Sequence, residues 1–314
     1  MKICFFFRIF LILMEKESYK KYLDPSFIAN YSNLKLTTDM VLEGFMLGIH
    51  SSPMKGFSAE FSQHKQYNPG DPTRFIDWKI FGKTEKHYIK QYEDETNLYA
   101  NIFLDKTNSM AFKAENSTYS KLDYGKQLAA AIAGIFINQK DSVGYGTIAD
   151  KLKIYIPPKS SRQQLKTLLI NIDDQETYDS ERTIHSYEDI SLKLTKSGLT
   201  VIISDFLENP DEIISNILLL RKRKQDIIIF MIADDYEYNL NFKENSTFLD
   251  SETGERLVVK PSQLKKSYKE VYDKQINKLK KIFTENKIYF KFVTTLTPFD
   301  IPLREIVLIR SKRM

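Results

Sequence analysis

Cysteine is almost missing. Cys4 is the one thiol among 314 residues, so an intramolecular disulfide is excluded, and so is a zinc site built on several cysteines. Both facts fit a reducing compartment. Histidine is also scarce: His50, His64, His87 and His185 are the four, and they show no metal-ligand spacing. Excess charge is small, with 46 basic residues against 41 acidic ones and a net charge of +5. Most basic residues therefore have acidic company, and no nucleic-acid partner is expected. No apolar run approaches the roughly 20 residues of a membrane-spanning helix. A Gly-rich phosphate loop ending in Lys-Ser/Thr is missing, so the chain is not expected to hydrolyse ATP itself. A Gly-x-Ser-x-Gly elbow is missing too. What is present is 42% hydrophobic and 28% charged residues. That is enough apolar material for a sizeable core in one large or two modest domains, and it excludes a mainly disordered chain.

The opening "MKICFFFRIFLILMEKESYK" carries an apolar run broken by Arg8. It is too short to span a bilayer, and no small-residue cleavage site follows it. Residues 1–13 are expected to be untranslated, with the true start at Met14. The alternative is a weak apolar anchor, with peripheral membrane association and a cytoplasmic location at the inner face of the membrane.

From Leu98 the chain alternates between two periods. "LYANIFLD", "LTVIISDF" and "DIIIFMIADD" are continuous apolar runs, as in strands buried on both faces. "KLDYGKQLAAAIAGIFINQK" reads as a helix with Leu128, Ile132, Ile135 and Phe136 on one stripe and alanines that allow close packing. "DSVGYGTIA" and "KLKIYIPP" read as a hairpin around Asp150 and Lys151. "SRQQLKTLLINI" is a helix, and a shorter one around "SYEDISLKLTK" is expected to end at a Gly198 cap. "NPDEIISNILLLRKRKQ" starts at an Asn209 cap with Pro210 in its first turn, and its Arg221–Lys224 run suits the negative end of the dipole. The polar stretch 236–260 interrupts the rhythm before the long helix "PSQLKKSYKEVYDKQINKLKKIFTENK", the strand "IYFKFVTT" and a helical tail. Strands alternating with helices predict an α/β domain over 96–314: a mostly parallel sheet with helices on both faces. Residues 14–95, richer in Gly, Pro and polar residues, predict an N-terminal helix and a small β module that includes "YNPGDP" as a turn and "KHYIKQYEDE" as a strand.

In such sheets ligands collect beyond the carboxyl ends of the strands. Asp105 and Asp205 both lie there. After Asp105, Thr107 and Ser109 follow at alternate positions, a spacing that lets one loop turn three oxygen ligands inward. The same residues also make ordinary strand-to-turn chemistry.

Four blocks are recognisable: "GIHSSPMKGFSAEF", "YNPGDPTRFIDW", "YIKQYEDE" and "LDKTNSM". With "DSVGYG", "VIISDF" and "LDSETGER", they resemble the family known as domain of unknown function 58, from about Leu42 to the C-terminus. That family is similar to a bacterial branch of the von Willebrand factor A fold, whose members are interaction modules. The resemblance implies a metal-ion-dependent adhesion site holding Mg²⁺ or Mn²⁺. Asp105, Thr107 and Ser109 match its first loop and Asp205 its third. The second-loop threonine is expected after "IYIPP", where Ser160 or Ser161 stands instead. It also implies partnership with a MoxR-type AAA+ ATPase and other von Willebrand factor A proteins, in a chaperone-like or assembly role.

Gly70, Asp71, Arg74, Asp77 and Trp78 form the most specific matched block, and Glu60 and Phe61 are grouped with it. They are expected to bind a partner or join the two modules, with Arg74 pairing carboxylates and Trp78 packing. A non-enzymatic adaptor is thus the first expectation. The alternative is a metal-dependent hydrolase combining Asp105 and Asp205 with Asp71 or Asp77.

Overall fold

The computed structural model describes residues 34–51, 64–66, 81–82, 88–90, 98–115, 117–178, 183–242, 246–249 and 256–311. Residues 1–13 and the cluster of Glu60, Phe61, Gly70, Asp71, Arg74, Asp77 and Trp78 lie outside them. The chain divides into one unit of Met1–Gly48 with Asn97–Met314 and a second unit of Ile49–Thr96. In the second unit, β1 (His64–Gln66) pairs antiparallel with β2 (Tyr88–Lys90), the strand expected in "KHYIKQYEDE".

Among the described residues, the first unit begins with α1 (Leu34–Ser51). The sequence suggests that this helix belongs with the small module, but all of it up to Gly48 falls in the larger unit. Its partner is α2 (Lys121–Asn138). The Gln127 side-chain amide donates to Thr37 Oγ1 at 2.6 Å, and Leu42 lies where a side chain on Gly134 would stand. This contact also corrects the single stripe expected on α2. Apart from the half-buried Asp123, the helix is buried from Lys121 to Ile137, because the sheet covers one face and several helices, α1 among them, cover the rest.

The sheet is built from β3 (Tyr99–Asp105), β4 (Ser142–Ile148), β5 (Ile154–Lys159), β6 (Gly198–Ser204), β7 (Gln225–Ala233) and β10 (Tyr289–Thr294). A separate hairpin, β8 (Ser246–Leu249) with β9 (Arg256–Val259), forms within the polar stretch. The sheet order is β10-β7-β6-β3-β4-β5. All neighbours are parallel except β5, which runs antiparallel to β4 as the outer arm of the expected hairpin. Successive residues point to opposite faces. Leu104, Ile203 and Ile232 meet α2 around Gly125, and Tyr124 of α2 stacks on Phe299 just before α8 (Asp300–Ser311). Phe103, Ile202, Ile229 and Met231 point the other way. They join Tyr187 and Ile190 of α4 (Ile184–Lys193), Ile217 and Leu220 of α5 (Pro210–Lys222), and Leu279 and Phe283 of α7 (Pro261–Glu285). Helices on both faces of a mostly parallel sheet are the α/β architecture that the sequence predicts.

Local chemistry explains most boundaries. Asn209 caps α5 by accepting the Asp211 amide at 2.9 Å. Arg221 turns back onto the Gln225 carbonyl and Asp226, and Arg223 onto Ser191, so the basic run finishes its helix. One expectation fails. Helix α4 ends at a Leu194 cap, and Gly198 opens β6 instead. Glycine is needed there because a Cβ would collide with the Tyr99 carbonyl oxygen of β3.

Strand order places the site. From β3 the chain moves to one side, through β4 and β5, and then returns to the other side as β6. The ends of β3 and β6 therefore flank the topological switch point, where an open α/β sheet forms a crevice.

Candidate functional site

The register Leu104↔Ile203 brings Asp105 beside Ser204. Both oxygens of the Asp105 carboxylate are engaged: Oδ1 accepts the Thr107 amide at 2.8 Å and Oδ2 accepts the Ser204 hydroxyl at 2.6 Å. Asp105 is only 3% exposed. Burial, and then the charge of Asp205, push its carboxyl up to about 7, against the opposing bonds from Ser204 and Thr107. Thr107 opens a short 3-10 turn, Asn108–Ala111. This turn folds the Thr107 and Ser109 hydroxyls together at 3.0 Å, both buried. The loop is fixed from outside by a backbone bridge between Thr107 and Tyr178.

Asp205 follows β6 and is 2% exposed. The next residue, Phe206, has φ 49°, a strained backbone for a bulky side chain. It is held by its amide donating to Ser204 Oγ at 3.1 Å and by Gln275 of α7 donating to its carbonyl at 3.2 Å. Ser204 thus links the two acidic loops: it accepts from the loop of Asp205 and donates to Asp105.

Lys121 is the residue that sequence reasoning missed. Its ammonium lies 2.8 Å from Asp205 Oδ2 and 3.0 Å from Glu237 Oε2, with the side chain 1% exposed. Burial opposes its charge, but Asp205 and Glu237 outweigh burial and hold the lysine above its usual range. Glu237 sits on α6 (Asp235–Asn239), capped by Asp234. Burial raises its carboxyl above the usual range, against the pull of Lys121. The signal in the sequence was a lysine in the first turn of a helix, where the dipole disfavours a cation.

The second loop also needs correction. Strand β5 runs antiparallel, so its carboxyl end pairs with the start of β4 at Val143↔Lys159. Ser160 and Ser161 follow it at the far end of the sheet, both exposed, and Ser161 serves as the N-cap of α3 (Arg162–Asp173). The buried threonine nearer the acidic crevice is Thr183, the N-cap of α4. Its amide donates to Glu208 at 2.8 Å, and nearby Tyr187 has its hydroxyl raised well above the usual range by burial and then by the charges of Glu208 and Asp105.

The sequence-predicted Asp105, Thr107, Ser109 and Asp205 therefore converge at the switch point. Their chemistry fits a hard cation. The donors are all oxygen, two hydroxyls face one another, and burial, together with the charge of Asp205, disfavours the ionised Asp105 carboxylate in the absence of a cation. Among the described residues, no group of three or more His, Cys, Asp or Glu is arranged to hold a metal, so a cation here relies on hydroxyls and water. His185 is exposed and bonds Glu188. No described helix is long and apolar enough to cross a membrane.

Residues 63–278 match the family described as "Protein of unknown function DUF58". Two curated relatives, "Uncharacterized protein Mb1516" of Mycobacterium bovis and "Uncharacterized protein Rv1480" of Mycobacterium tuberculosis, are each 25% identical over 191 residues. The alignment covers 59% of this chain and 58% of theirs, so the chain spans little more than half the length of the curated relatives it matches. Among solved structures, BatB from Bacteroides thetaiotaomicron superposes with a TM-score of 0.44 at 12% identity, over 68% of this chain and 99% of that one. An aerotolerance-related membrane protein from Bacteroides fragilis gives 0.45 at 13% identity, over 67% and 97%.

Proposed function

We propose, for a chain that belongs to the DUF58 family, that it is a non-enzymatic interaction module presenting a metal-ion-dependent adhesion site at the switch point of its sheet. One observation carries this reading: Asp105, Thr107, Ser109 and Asp205, from two separate loops, meet as buried oxygen donors at adjacent strand ends. Asp105, Thr107, Ser109 and Asp205 would hold Mg²⁺ or Mn²⁺, and Thr183 is the second-loop candidate. When bound, the ion supplies an open coordination position that a partner carboxylate can fill.

The chain's own residues do the rest. Ser204 ties the two acidic loops so that both carboxylates keep one geometry. The 3-10 turn aims two hydroxyls at one point. The strained Phe206 backbone, pinned by Gln275, sets the direction of Asp205. Such a rigid, small, acidic crevice suits docking of a protein carboxylate. The partner we infer is a MoxR-type AAA+ ATPase or another von Willebrand factor A protein, in an assembly or maturation role at the cytoplasmic face of the membrane.

The test is co-purification of a MoxR-type ATPase with the full chain, as wild type and as Asp105→Ala, in Mg²⁺ or in EDTA. Capture that is lost with both the substitution and the chelator supports the reading. Capture that survives both, with Asp105→Ala folded, sinks it.

A further inference from the structure

A buried lysine in an acidic crevice already does part of a metal's electrostatic work. Lys121 has three N–H donors; it donates to Asp205 Oδ2 at 2.8 Å, and its ammonium forms an ion pair with Glu237 Oε2 at 3.0 Å, an oxygen that accepts no hydrogen bond. The face of Phe112 lies 5.8 Å from the same nitrogen. Nothing in the local helix favours this cation. Lys121 is the first residue of α2, where the dipole is positive, and Ser120 and Asp123 complete the cap without it. The two carboxylates are what hold it.

The two carboxylates differ. Asp205 is fixed at the end of β6 by the strained Phe206 backbone. Glu237 is on the short helix α6, and its side chain is 21% exposed against 4% for Asp205. A divalent ion on Asp205 and an ammonium 2.8 Å from the same carboxylate repel one another strongly inside a protein. The ammonium does not have to leave the crevice, because Glu237 can keep it.

Resting on the adhesion-site reading above, we propose that Lys121 is a built-in competitor for the divalent cation at Asp205, and that Glu237 is where its ammonium rests when the cation is bound. Lys121 is then a positioning residue that sets metal affinity. Glu237 carries the change outward: α6 leads, through Tyr238, to Asp273 and Tyr272 on α7. Metal occupancy is thereby felt on α7, a helix that carries none of the proposed ligands.

The test is Mn²⁺ titration of the full-length protein by calorimetry, with paramagnetic resonance of free Mn²⁺ as an independent readout. Lys121→Met is expected to tighten Mn²⁺ by about tenfold or more, since it removes a like charge. Lys121→Arg, which keeps the charge, gives no such gain. Glu237→Gln weakens Mn²⁺ in the wild-type background by leaving Lys121 only Asp205, and most of that loss disappears when Lys121→Met is also present. If Lys121→Met does not fold, Lys121→Gln takes its place, keeping a donor without the charge. Mn²⁺ binding that needs Asp105 but is unchanged by Lys121→Met or Lys121→Gln overturns this proposal and leaves the adhesion site standing. If neither wild type nor either uncharged variant binds Mn²⁺, both readings fall.

Discussion

Asp105→Asn should make the metal-free protein more stable at neutral pH, and the sign can be worked out. The Asp105 carboxyl is raised from an ordinary 3.8 to about 7, first by burial and then by Asp205. Between these values the folded protein keeps a proton that the unfolded chain has released. Folding takes up a proton there, so stability falls as pH rises from about 4 to about 7 and levels off above that. The full interval corresponds to a ceiling of about 4 kcal/mol, at about 1.4 kcal/mol per pH unit. Asparagine never ionises, and its side-chain carbonyl still accepts the Thr107 amide. It loses the bond that Ser204 donates to the carboxylate at 2.6 Å, because an amide nitrogen does not accept it; that sets the net gain at about 1–3 kcal/mol at about pH 8. For a domain this size the midpoint should rise by about 3–10 °C. The assay is thermal and urea unfolding followed by circular dichroism, in EDTA, at about pH 5 and about pH 8. The variant should gain on wild type at the higher pH and gain little at the lower. A difference that stays constant between the two would refute the reasoning, because Asp105 would then not be a buried group that ionises at a cost.

Three further outcomes follow from the same coordinates. Millimolar Mg²⁺ should raise the wild-type midpoint at about pH 8, by ligand linkage to the folded state; melts of Asp105→Ala with and without the ion should coincide. Gly198→Ala should cost about 1–3 kcal/mol, read by urea denaturation, because the new Cβ meets the Tyr99 carbonyl of the neighbouring strand. Lys106, buried and lowered by desolvation to about 8, is protonated in the unfolded chain over a pH range where the native form is neutral. Wild-type stability should therefore rise relative to Lys106→Met between about pH 8 and about 10.5, and matched denaturation curves will show whether the gap changes.

The alternation of apolar runs with helical periods carried the fold. "LYANIFLD", "LTVIISDF" and "DIIIFMIADD" could belong only to strands covered on both faces, and three such strands became the centre of the sheet. Asp105 and Asp205 were legible for the same reason: each ends one of those runs. What the sequence concealed was direction and long-range contact. Ser160 and Ser161 stand where the family resemblance expects a second-loop threonine, but antiparallel β5 carries them to the opposite end. Gly198 looked like a helix cap because it follows a helix, yet its need is set by Tyr99, distant in sequence. Lys121 and Glu237 belong to segments more than a hundred residues apart, and no local pattern announces that Lys121 pairs with both Glu237 and Asp205. The full burial of α2 was hidden likewise, since its polar positions Lys121, Lys126 and Gln127 find partners on other elements.

Helix α1 and its seat on α2 are separated by residues 52–120, which include all but the first three residues of the second unit. During synthesis α1 emerges before α2, so its Thr37 and Leu42, which meet Gln127 and Gly134 in the finished protein, have no seat until α2 follows. At about 5–20 residues per second, that interval lasts roughly 3–14 s. Throughout it, an amphipathic segment waits beside the exit of the ribosome with its apolar side uncovered, longer than the time in which a helix forms or a chain collapses. The nascent protein should thus be most vulnerable to aggregation, and most attractive to general chaperones, before its central helix is made, with the hazard ending when Gln127 reaches Thr37.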